Sequence, residues 1–138
     1  MTTTLTQVTV LTSEVVTEAD IVTSRVEARA LAEAIGFDYI DQTRIATAVS
    51  ELTRNALQYA GRGKVTMSPM LKDGRRGIEI VVEDHGPGIK DLELVMKGGH
   101  STSRGLGMGL LGSKRLMDEF YVNSKVGKGT IVTVRKWL

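Results

Sequence analysis

One acidic residue closes an alternating apolar stretch and is followed at once by glycines. Residues 81–91 read VVEDHGPGIKD, and the apolar residues at the even positions of 78–82 share parity with Asp84. Because side chains alternate along a strand, Asp84 is expected to face the core together with them. A buried carboxylate without a partner is costly, so it favours a hydrogen-bond donor.

The two glycines after Asp84 indicate what that donor is. Gly86 and Gly88 flank a proline and would leave room for a flat ligand against the backbone. The amino group of adenine is a suitable donor for the carboxylate. The alternative is that Asp84 caps a turn and that the glycines only shape it.

An acid and an amide lie about one helical turn apart in the second predicted helix. At about 100° per residue, Glu51 and Asn55 fall on one edge of the apolar stripe centred on Leu52. The amide oxygen suits Mg²⁺, which keeps waters and phosphate oxygens as its other ligands. The carboxylate can accept a proton from a hydroxyl. The alternative is an ordinary solvated helix edge.

A glycine-rich segment leads into the third predicted helix. Residues 98–112 read GGHSTSRGLGMGLLG, with glycines at the alternate positions 105, 107 and 109. Backbone N–H groups and the helix dipole make such an N-terminus a cradle for phosphate, and Arg104 would add a positive charge. The segment is not a Walker A motif, because the ending of that motif is missing. The alternative is a flexible loop.

A threonine near the end of the chain completes the set of candidate residues. Thr130 follows Gly129 and shares parity with Val132 and Val134. Its hydroxyl is therefore expected to point inward, where it would bond Asp84 or a water beside it. The alternative is an ordinary β-branched strand residue.

Periodicity predicts five strands, three helices and one further helical turn. Helix one runs from Thr17 to Gly36, with an inward stripe at positions 22, 26, 30 and 34 that Leu31 and Ile35 widen. The other predicted elements are strand 5–16, a helix from Asp38 or Asp41 to Gly61, strands 64–71 and 76–84 around an Asp73-Gly74 turn, a helical turn at Leu92–Met96, a helix from near Gly109, and strands 120–126 and 130–137. This order predicts an α+β two-layer sandwich, in which a mixed, mostly antiparallel sheet carries about three helices on one face.

Composition predicts a single globular domain over residues 1–138. The chain has no cysteine, which excludes disulfides and thiol chemistry, and no apolar run approaches the roughly 18 residues of a membrane span. Lys and Arg total 18 against 16 Asp and Glu, and aromatic residues make up 4%, so no nucleic-acid surface is expected. We expect a cytoplasmic protein that binds neither nucleic acid nor membrane.

The four chemical segments, in this order and spacing, resemble the boxes of the GHKL ATPase superfamily, which has the Bergerat fold and includes gyrase, Hsp90, histidine kinases and MutL. The segments that carry the resemblance are ELTRNA (51–56), Asp84 with Gly86 and Gly88, GLGMGL (105–110), and Gly129-Thr130. A chain of 138 residues leaves no room for the transducer domains of gyrase, Hsp90 and MutL. His85 and His100 lie in the nucleotide loops, not in a phosphoacceptor helix. Over its whole length the chain looks most like the free-standing serine/threonine kinases of bacterial partner-switching systems, the anti-sigma-factor kinase group that includes the kinase of the stressosome.

That resemblance implies a kinase that uses ATP and Mg²⁺. Glu51 would accept or orient the proton of an incoming Ser or Thr hydroxyl, and Asn55 would hold Mg²⁺ on the phosphates. Ile89 and Met96 would cover the base, and residues 104–109 would form a lid over the phosphates. The residues implied to bind ATP are Asn55, Asp84, Gly86, Gly88, Ile89, Met96, Arg104, Gly105, Leu106, Gly107, Met108, Gly109, Leu110 and Thr130.

The resemblance also implies partners. The expected substrates are STAS-domain scaffold and antagonist proteins of a stressosome, and the released kinase would activate a PP2C-type phosphatase. Two other interpretations remain open: a nucleotide-gated binding module, and an anti-sigma factor that sequesters a sigma subunit. Arg44, on the same helix edge as Glu51, would orient Glu51 or a phosphate, unless it belongs to an ordinary solvated face.

Overall fold

The computed structural model describes residues 10–97 and 106–138, with the backbone alone at 106–108. The described elements are, in chain order, β1 (Leu11–Val15), α1 (Glu18–Ile35), α2 (Tyr39–Ala60), β2 (Gly63–Lys72), β3 (Arg75–Asp84), α3 (Leu92–Met96), α4 (Leu106–Leu116), β4 (Glu119–Lys125) and β5 (Gly129–Trp137). The predicted succession of strands and helices is confirmed over this part of the chain. The first five residues of the predicted strand 5–16 lie outside the described residues.

One five-stranded sheet has the strand order β1-β2-β3-β5-β4. All four described pairings are antiparallel, so the α+β class and the mostly antiparallel sheet are confirmed. The parallel component that a mixed sheet requires is not found among the described strands. β3 and β5 are neighbours in the centre, and their register places Asp84 opposite Thr130.

The core lies between one face of the sheet and the helices. On β3 the side chains of Ile78, Ile80 and Val82 are buried, while Glu79 and Val81 on the other face are partly exposed. This alternation is typical of an antiparallel sheet that is covered on one side and meets solvent on the other. Parity therefore brings Asp84 to the helix-covered side, as the sequence predicted.

The first helix corrects one expectation. The buried residues of α1 are Ile21, Ser24, Ala28, Ala32 and Ile35. The predicted inward stripe at positions 22, 26, 30 and 34 faces solvent, with Val22 48% and Val26 59% exposed. Residues four apart on a helix differ in direction by about 40°, so a run of such residues does not stay on one face. The buried face instead carries Ser24, Ala28 and Ala32, which are small enough to let α1 approach its neighbours closely.

The second helix is predicted well because both of its ends carry strong local signals. Asp38 accepts a hydrogen bond from the backbone N–H of Asp41 at 2.8 Å, which caps the N-terminus. Gly61 ends the helix in the left-handed conformation, φ 83°. The predicted apolar stripe is buried at Ile45, Ala48, Val49, Leu52 and Ala56.

The fourth helix begins earlier than predicted. Its first residue is Leu106, one turn before the expected start near Gly109. Glycine disfavours a helix by about 1 kcal/mol per residue relative to alanine, which is why the glycine run indicated a loop. Burial of Leu110 and Ser113, and the close packing of Gly109 on α2, override that propensity. No helix in residues 10–97 or 106–138 is long and apolar enough to cross a membrane.

Candidate active site

A cleft opens between α2, the loop after β3, α4 and the start of β5. Its lining is mostly apolar, with a few polar side chains at defined places. The lining residues are Leu52, Asn55, Ala56, Tyr59, Val82, Asp84, Pro87, Gly88, Ile89, Leu110, Thr130 and Val132. Apolar walls with a few convergent polar groups are the usual form of a small-molecule site.

Asp84 lies at the edge of the cleft and is only partly exposed. Its Oδ1 accepts a hydrogen bond from the N–H of Gly86 at 2.9 Å. Burial of the carboxyl group raises the pKa of Asp84 above its ordinary value, while N–H bonds from Gly86 and Thr130 and the charge of His85 act in the opposite direction. The residue thus caps a turn, as in the alternative interpretation, and also presents a carboxylate to the cleft.

The two glycines after Asp84 are required by packing of the protein on itself. A Cβ at Gly86 would lie 2.5 Å from the Cβ of Ala60 on α2. Gly88 has φ 75°, and a Cβ there would overlap the carbonyl of Lys125. Gly88 lines the cleft whereas Gly86 does not, so a role for Gly86 in ligand binding stays a prediction.

Asn55 contacts the N-terminal turn of α4 across the cleft. A Cβ on Gly109 would lie 2.9 Å from Asn55 Nδ2 and 3.1 Å from Oδ1. Asn55 Nδ2 is buried and has no hydrogen-bond partner among the described residues. Buried polar atoms are nearly always paired, so this amide fits a site where a ligand supplies the acceptor.

The Asn55 amide suits a metal-bound phosphate. An oxygen of the phosphate would accept from Nδ2, while Oδ1 is a hard neutral ligand of the kind that Mg²⁺ takes together with waters and phosphate oxygens. Among the described residues no group of three His, Cys, Asp or Glu side chains comes together. That Asn55 holds a magnesium ion here, with the nucleotide supplying further ligands, stays a prediction.

Glu51 stands one turn from Asn55 on α2 but outside the lining of the cleft. Its Oε1 lies 3.7 Å from Arg54 Nη1, and its side chain is 39% exposed. Arg44 pairs with Asp41 at 3.0 Å, and its side chain is 51% exposed. This favours the interpretation of an ordinary solvated helix face, and a role of Arg44 in orienting Glu51 or a phosphate stays a prediction.

Thr130 is buried and lines the cleft, as its parity predicted. Its hydroxyl was expected to bond Asp84 or a water. In the structure Thr130 Oγ1 lies 2.8 Å from Ser124 Oγ on the neighbouring strand, and a bond to a water beside Asp84 stays a prediction. Asp84 receives a hydrogen bond from the backbone of Thr130 instead. The register that pairs Asp84 with Thr130 brings the backbone N–H of Thr130 within reach of the carboxyl group, while the Thr130 hydroxyl is paired with Ser124.

The remaining expected residues divide into four groups. Ile89 and Leu110 are buried and line the cleft. Met96 is packed against the hydrophobic core and is not part of the lining, so its contact with a base stays a prediction. Leu106, Gly107 and Met108 form the first turn of α4. Arg104 and Gly105 lie outside the described residues. The segment 104–109 is thus helical from Leu106 onward.

Sequence reasoning missed two polar residues, one that lines the cleft and one that contacts its lining. Tyr59 lines the cleft from α2, but it was not among the candidate residues. Ser124 joins the loop after β3 to β5 through its hydroxyl. Ser124 shares parity with Phe120 and Val122, so it is a polar residue at a core-facing strand position. That pattern could have identified it as a residue of interest.

Comparison with known proteins shows the family of this chain. Residues 15–136 match the histidine kinase-like ATPase domain family. The serine/threonine-protein kinase RsbT of Bacillus subtilis is 50% identical over 124 residues, which cover 90% of this chain and 93% of that protein.

Relatives of lower identity are anti-sigma F factors. An anti-sigma F factor of Caldanaerobacter subterraneus is 35% identical over 100 residues, and one of Geobacillus stearothermophilus is 36% identical over 101 residues. Each alignment covers 68% of this chain and 68% of the relative. The chain belongs to the histidine kinase-like ATPase family, in the group that contains RsbT and the anti-sigma F factors.

Proposed function

We propose that the protein is an ATP-dependent serine/threonine protein kinase of a bacterial partner-switching pathway. The observation that carries this proposal is the meeting of Asp84, Asn55 and Thr130 in one mostly apolar cleft. It occurs in a chain that is 50% identical to a serine/threonine-protein kinase over 90% of its length.

The cleft binds ATP with the base at its apolar end. The carboxylate of Asp84 accepts a hydrogen bond from the amino group of adenine, and Ile89 packs against the ring. The triphosphate extends toward Asn55 and the N-terminus of α4, where free N–H groups and the helix dipole favour negative charge. Asn55 Nδ2, which has no hydrogen-bond partner among the described residues, supports this direction for the phosphates.

The reaction is transfer of the γ-phosphoryl group to a protein hydroxyl. The oxygen of a Ser or Thr forms a bond to phosphorus, the bond to the β-phosphate oxygen breaks, and Glu51 accepts or orients the hydroxyl proton. Mg²⁺ held by Asn55 would neutralise charge on the phosphate oxygens. Glu51 is partly exposed beside the cleft, which suits a hydroxyl delivered by another protein.

The proposed substrates are STAS-domain scaffold and antagonist proteins of a stressosome. Phosphorylation would weaken their hold on the kinase, and the released kinase would bind and activate a PP2C-type phosphatase. We place these events in the cytoplasm. The identity to RsbT supports this assignment.

Replacement of one carboxylate tests the kinase proposal. Glu51→Gln keeps the size of the side chain but cannot accept a proton, so we expect phosphate transfer to a STAS-domain protein to fall by about 100-fold or more. ATP affinity, measured by calorimetry, should stay within about twofold of the wild type, because Glu51 does not line the cleft.

The matched control changes a neighbouring acid on the same helix. Asp41→Asn removes a carboxylate that pairs with Arg44, away from the cleft, and should leave transfer unchanged. Normal transfer by Glu51→Gln would exclude Glu51 as the proton acceptor. Absence of transfer by the wild type would contradict the kinase assignment itself.

A second candidate is a binding module that sequesters a sigma factor, gated by nucleotide. The observation in its favour is the 35–36% identity to anti-sigma F factors. Pull-down of purified sigma factor, STAS-domain protein and PP2C-type phosphatase separates the two functions. Stable capture of the sigma factor, with no transfer to the STAS-domain protein, would favour the second candidate.

A further inference from the structure

Ser124 joins the two segments that form the base end of the cleft. It lies on β4, and its Oγ accepts a hydrogen bond from the backbone N–H of Ile89 at 2.8 Å. The same Oγ lies 3.2 Å from the carbonyl oxygen of Gly129 and 2.8 Å from Thr130 Oγ1. One hydroxyl thus contacts the loop after Asp84 on one side and the start of β5 on the other.

A second contact holds the same two segments together. The backbone N–H of Gly127, in the turn between β4 and β5, donates to the carbonyl of Pro87 at 2.8 Å. The loop after Asp84 is therefore fastened to the β4–β5 hairpin at Ile89 and at Pro87. The position of Ser124 relative to the cleft is fixed by these backbone bonds.

Counting protons at Ser124 fixes the direction of its bond with Thr130. A serine hydroxyl has one donor hydrogen and two acceptor lone pairs. If Ser124 donates to Gly129, both lone pairs are filled by Ile89 N–H and by the hydroxyl of Thr130, and all three contacts are hydrogen bonds. If Ser124 donates to Thr130 instead, one lone pair and the Gly129 contact are left unused. The first arrangement satisfies every group.

The direction of that bond decides what Thr130 offers to a ligand. In the satisfied arrangement the only hydrogen of the Thr130 hydroxyl is used by Ser124, so Thr130 presents an acceptor alone. Asp84 also presents acceptors when ionised. Two acceptors suit the amino group of adenine, which carries two hydrogens, and disfavour the 6-oxo group of hypoxanthine or guanine, which is itself an acceptor.

We infer that Ser124 is a positioning residue that makes the base site selective for a 6-amino purine, acting through Thr130. The inference rests on the proposed nucleotide function and names a residue that determines its specificity. Ser124 does not line the cleft, so its effect on selectivity must pass through its hydrogen-bond partners.

The test compares ATP with inosine triphosphate, which differs at position 6 of the purine. Binding of each is measured by calorimetry for the wild type, Ser124→Ala, and Ser124→Thr, which restores a hydroxyl. In Ser124→Ala the Thr130 hydroxyl is free to rotate and to donate to a 6-oxo group. We expect the ratio of ATP to inosine triphosphate affinity to fall about fivefold, the value of one hydrogen bond, and to recover in Ser124→Thr.

A double-mutant cycle shows whether the effect passes through Thr130. In a Thr130→Val background, Ser124→Ala should leave the ratio unchanged. Ser68→Ala, a serine on β2 away from the cleft, is the matched control and should behave as wild type. Far-ultraviolet dichroism confirms that each variant is folded, and Ser124→Cys replaces Ser124→Ala if the latter is not.

The outcomes distinguish this inference from the function on which it rests. An equal loss of affinity for both nucleotides in Ser124→Ala would show a structural clamp only and would overturn the selectivity claim. The same ratio change in the Thr130→Val background would also overturn it. Failure of the wild type to bind ATP, or full binding by Asp84→Asn, would instead overturn the proposed nucleotide site.

Discussion

At the scale of single residues, the carboxylate of Asp84 is held partly away from water between mostly apolar walls. Burial raises the pKa of Asp84, and hydrogen bonds from Gly86 and Thr130 only partly oppose the change. Such a group is unfavourable for the protein alone and favourable for a ligand with an amino group. Perturbed titrating groups in clefts are typical of functional sites.

The substitution Asp84→Asn should change ATP binding and the stability of the fold in different ways. The amide keeps an oxygen that can accept from Gly86 but does not present a charged acceptor to adenine, so we expect ATP binding to be lost.

A carboxyl group whose folded pKa is raised stabilises the fold most below its unfolded pKa, and this contribution is lost as pH rises through the folded value.

The variant should therefore become more stable relative to the wild type as pH rises from about 4 toward 7. Urea unfolding of both proteins at several pH values measures the difference in free energy. A difference that does not vary with pH, or one that varies in the opposite direction, would contradict the assigned environment of Asp84.

At the scale of elements, α4 meets α2 at a contact that only glycine permits. A Cβ at Gly109 would press on the amide of Asn55, whereas a Cβ at Gly112, three residues later, would meet nothing within 4 Å. The two positions share a helix and differ in what stands opposite. They form a matched pair for testing the role of this contact.

Gly109→Ala should reduce phosphate transfer by about 100-fold, because displacement of Asn55 by less than an ångström misplaces the phosphates. Gly112→Ala should leave transfer unchanged and raise the free energy of unfolding by about 1 kcal/mol, the difference in helix propensity. Transfer assays and urea unfolding of both variants measure these effects. Equal activity of the two variants would show that the Asn55–Gly109 contact is not needed.

The loop after β3 and the turn after β4 provide a second matched pair. Gly88 and Gly127 have φ of 75° and 81°, but only Gly88 is packed against backbone, at Lys125. Gly127→Ala should cost about 1 kcal/mol for its left-handed conformation. Gly88→Ala should cost roughly 1–3 kcal/mol more, because of the overlap. Thermal unfolding checks both, and equal costs would mean that the loop yields without strain.

Local signals predicted most elements, and packing decided the rest. Asp38 and Gly61 mark the ends of α2, and strand parity brought Asp84 and Thr130 to the covered face of the sheet. The predicted buried face of α1 was wrong, because small residues such as Ala28 are buried as readily as Val26 where another element packs closely. The sequence of α1 alone does not indicate which of its faces will pack against the other elements.

The site was predictable in its residue types but not in its hydrogen bonds. Asp84 and Asn55 were chosen from the sequence, and both line the cleft. The partner of the Thr130 hydroxyl depends on the register of the β4–β5 hairpin, in which Ser124 pairs with Thr130. Side-chain alternation within one strand does not show which residue of the next strand lies opposite, and so Ser124 was not recognised.

At the scale of the whole molecule, the antiparallel sheet gathers distant parts of the chain at one end. Pairing of β3 with β5 places Asp84 beside Thr130, which is 46 residues later in the sequence. Packing of α2 and α4 on the same face adds Asn55 and Gly109. The cleft therefore exists only in the folded domain, and binding of ATP should stabilise that domain as a unit, by about 2.7 kcal/mol at 100 times the dissociation constant.

The central claim is that this cleft holds ATP with its base on Asp84 and its phosphates toward Asn55. A crystal structure of the protein with a non-hydrolysable ATP analogue and Mg²⁺ tests it most directly. We predict the adenine amino group within hydrogen-bonding distance of Asp84, and phosphate oxygens beside Asn55 and the N-terminus of α4. A nucleotide bound elsewhere, or a base with no contact to Asp84, would contradict the account.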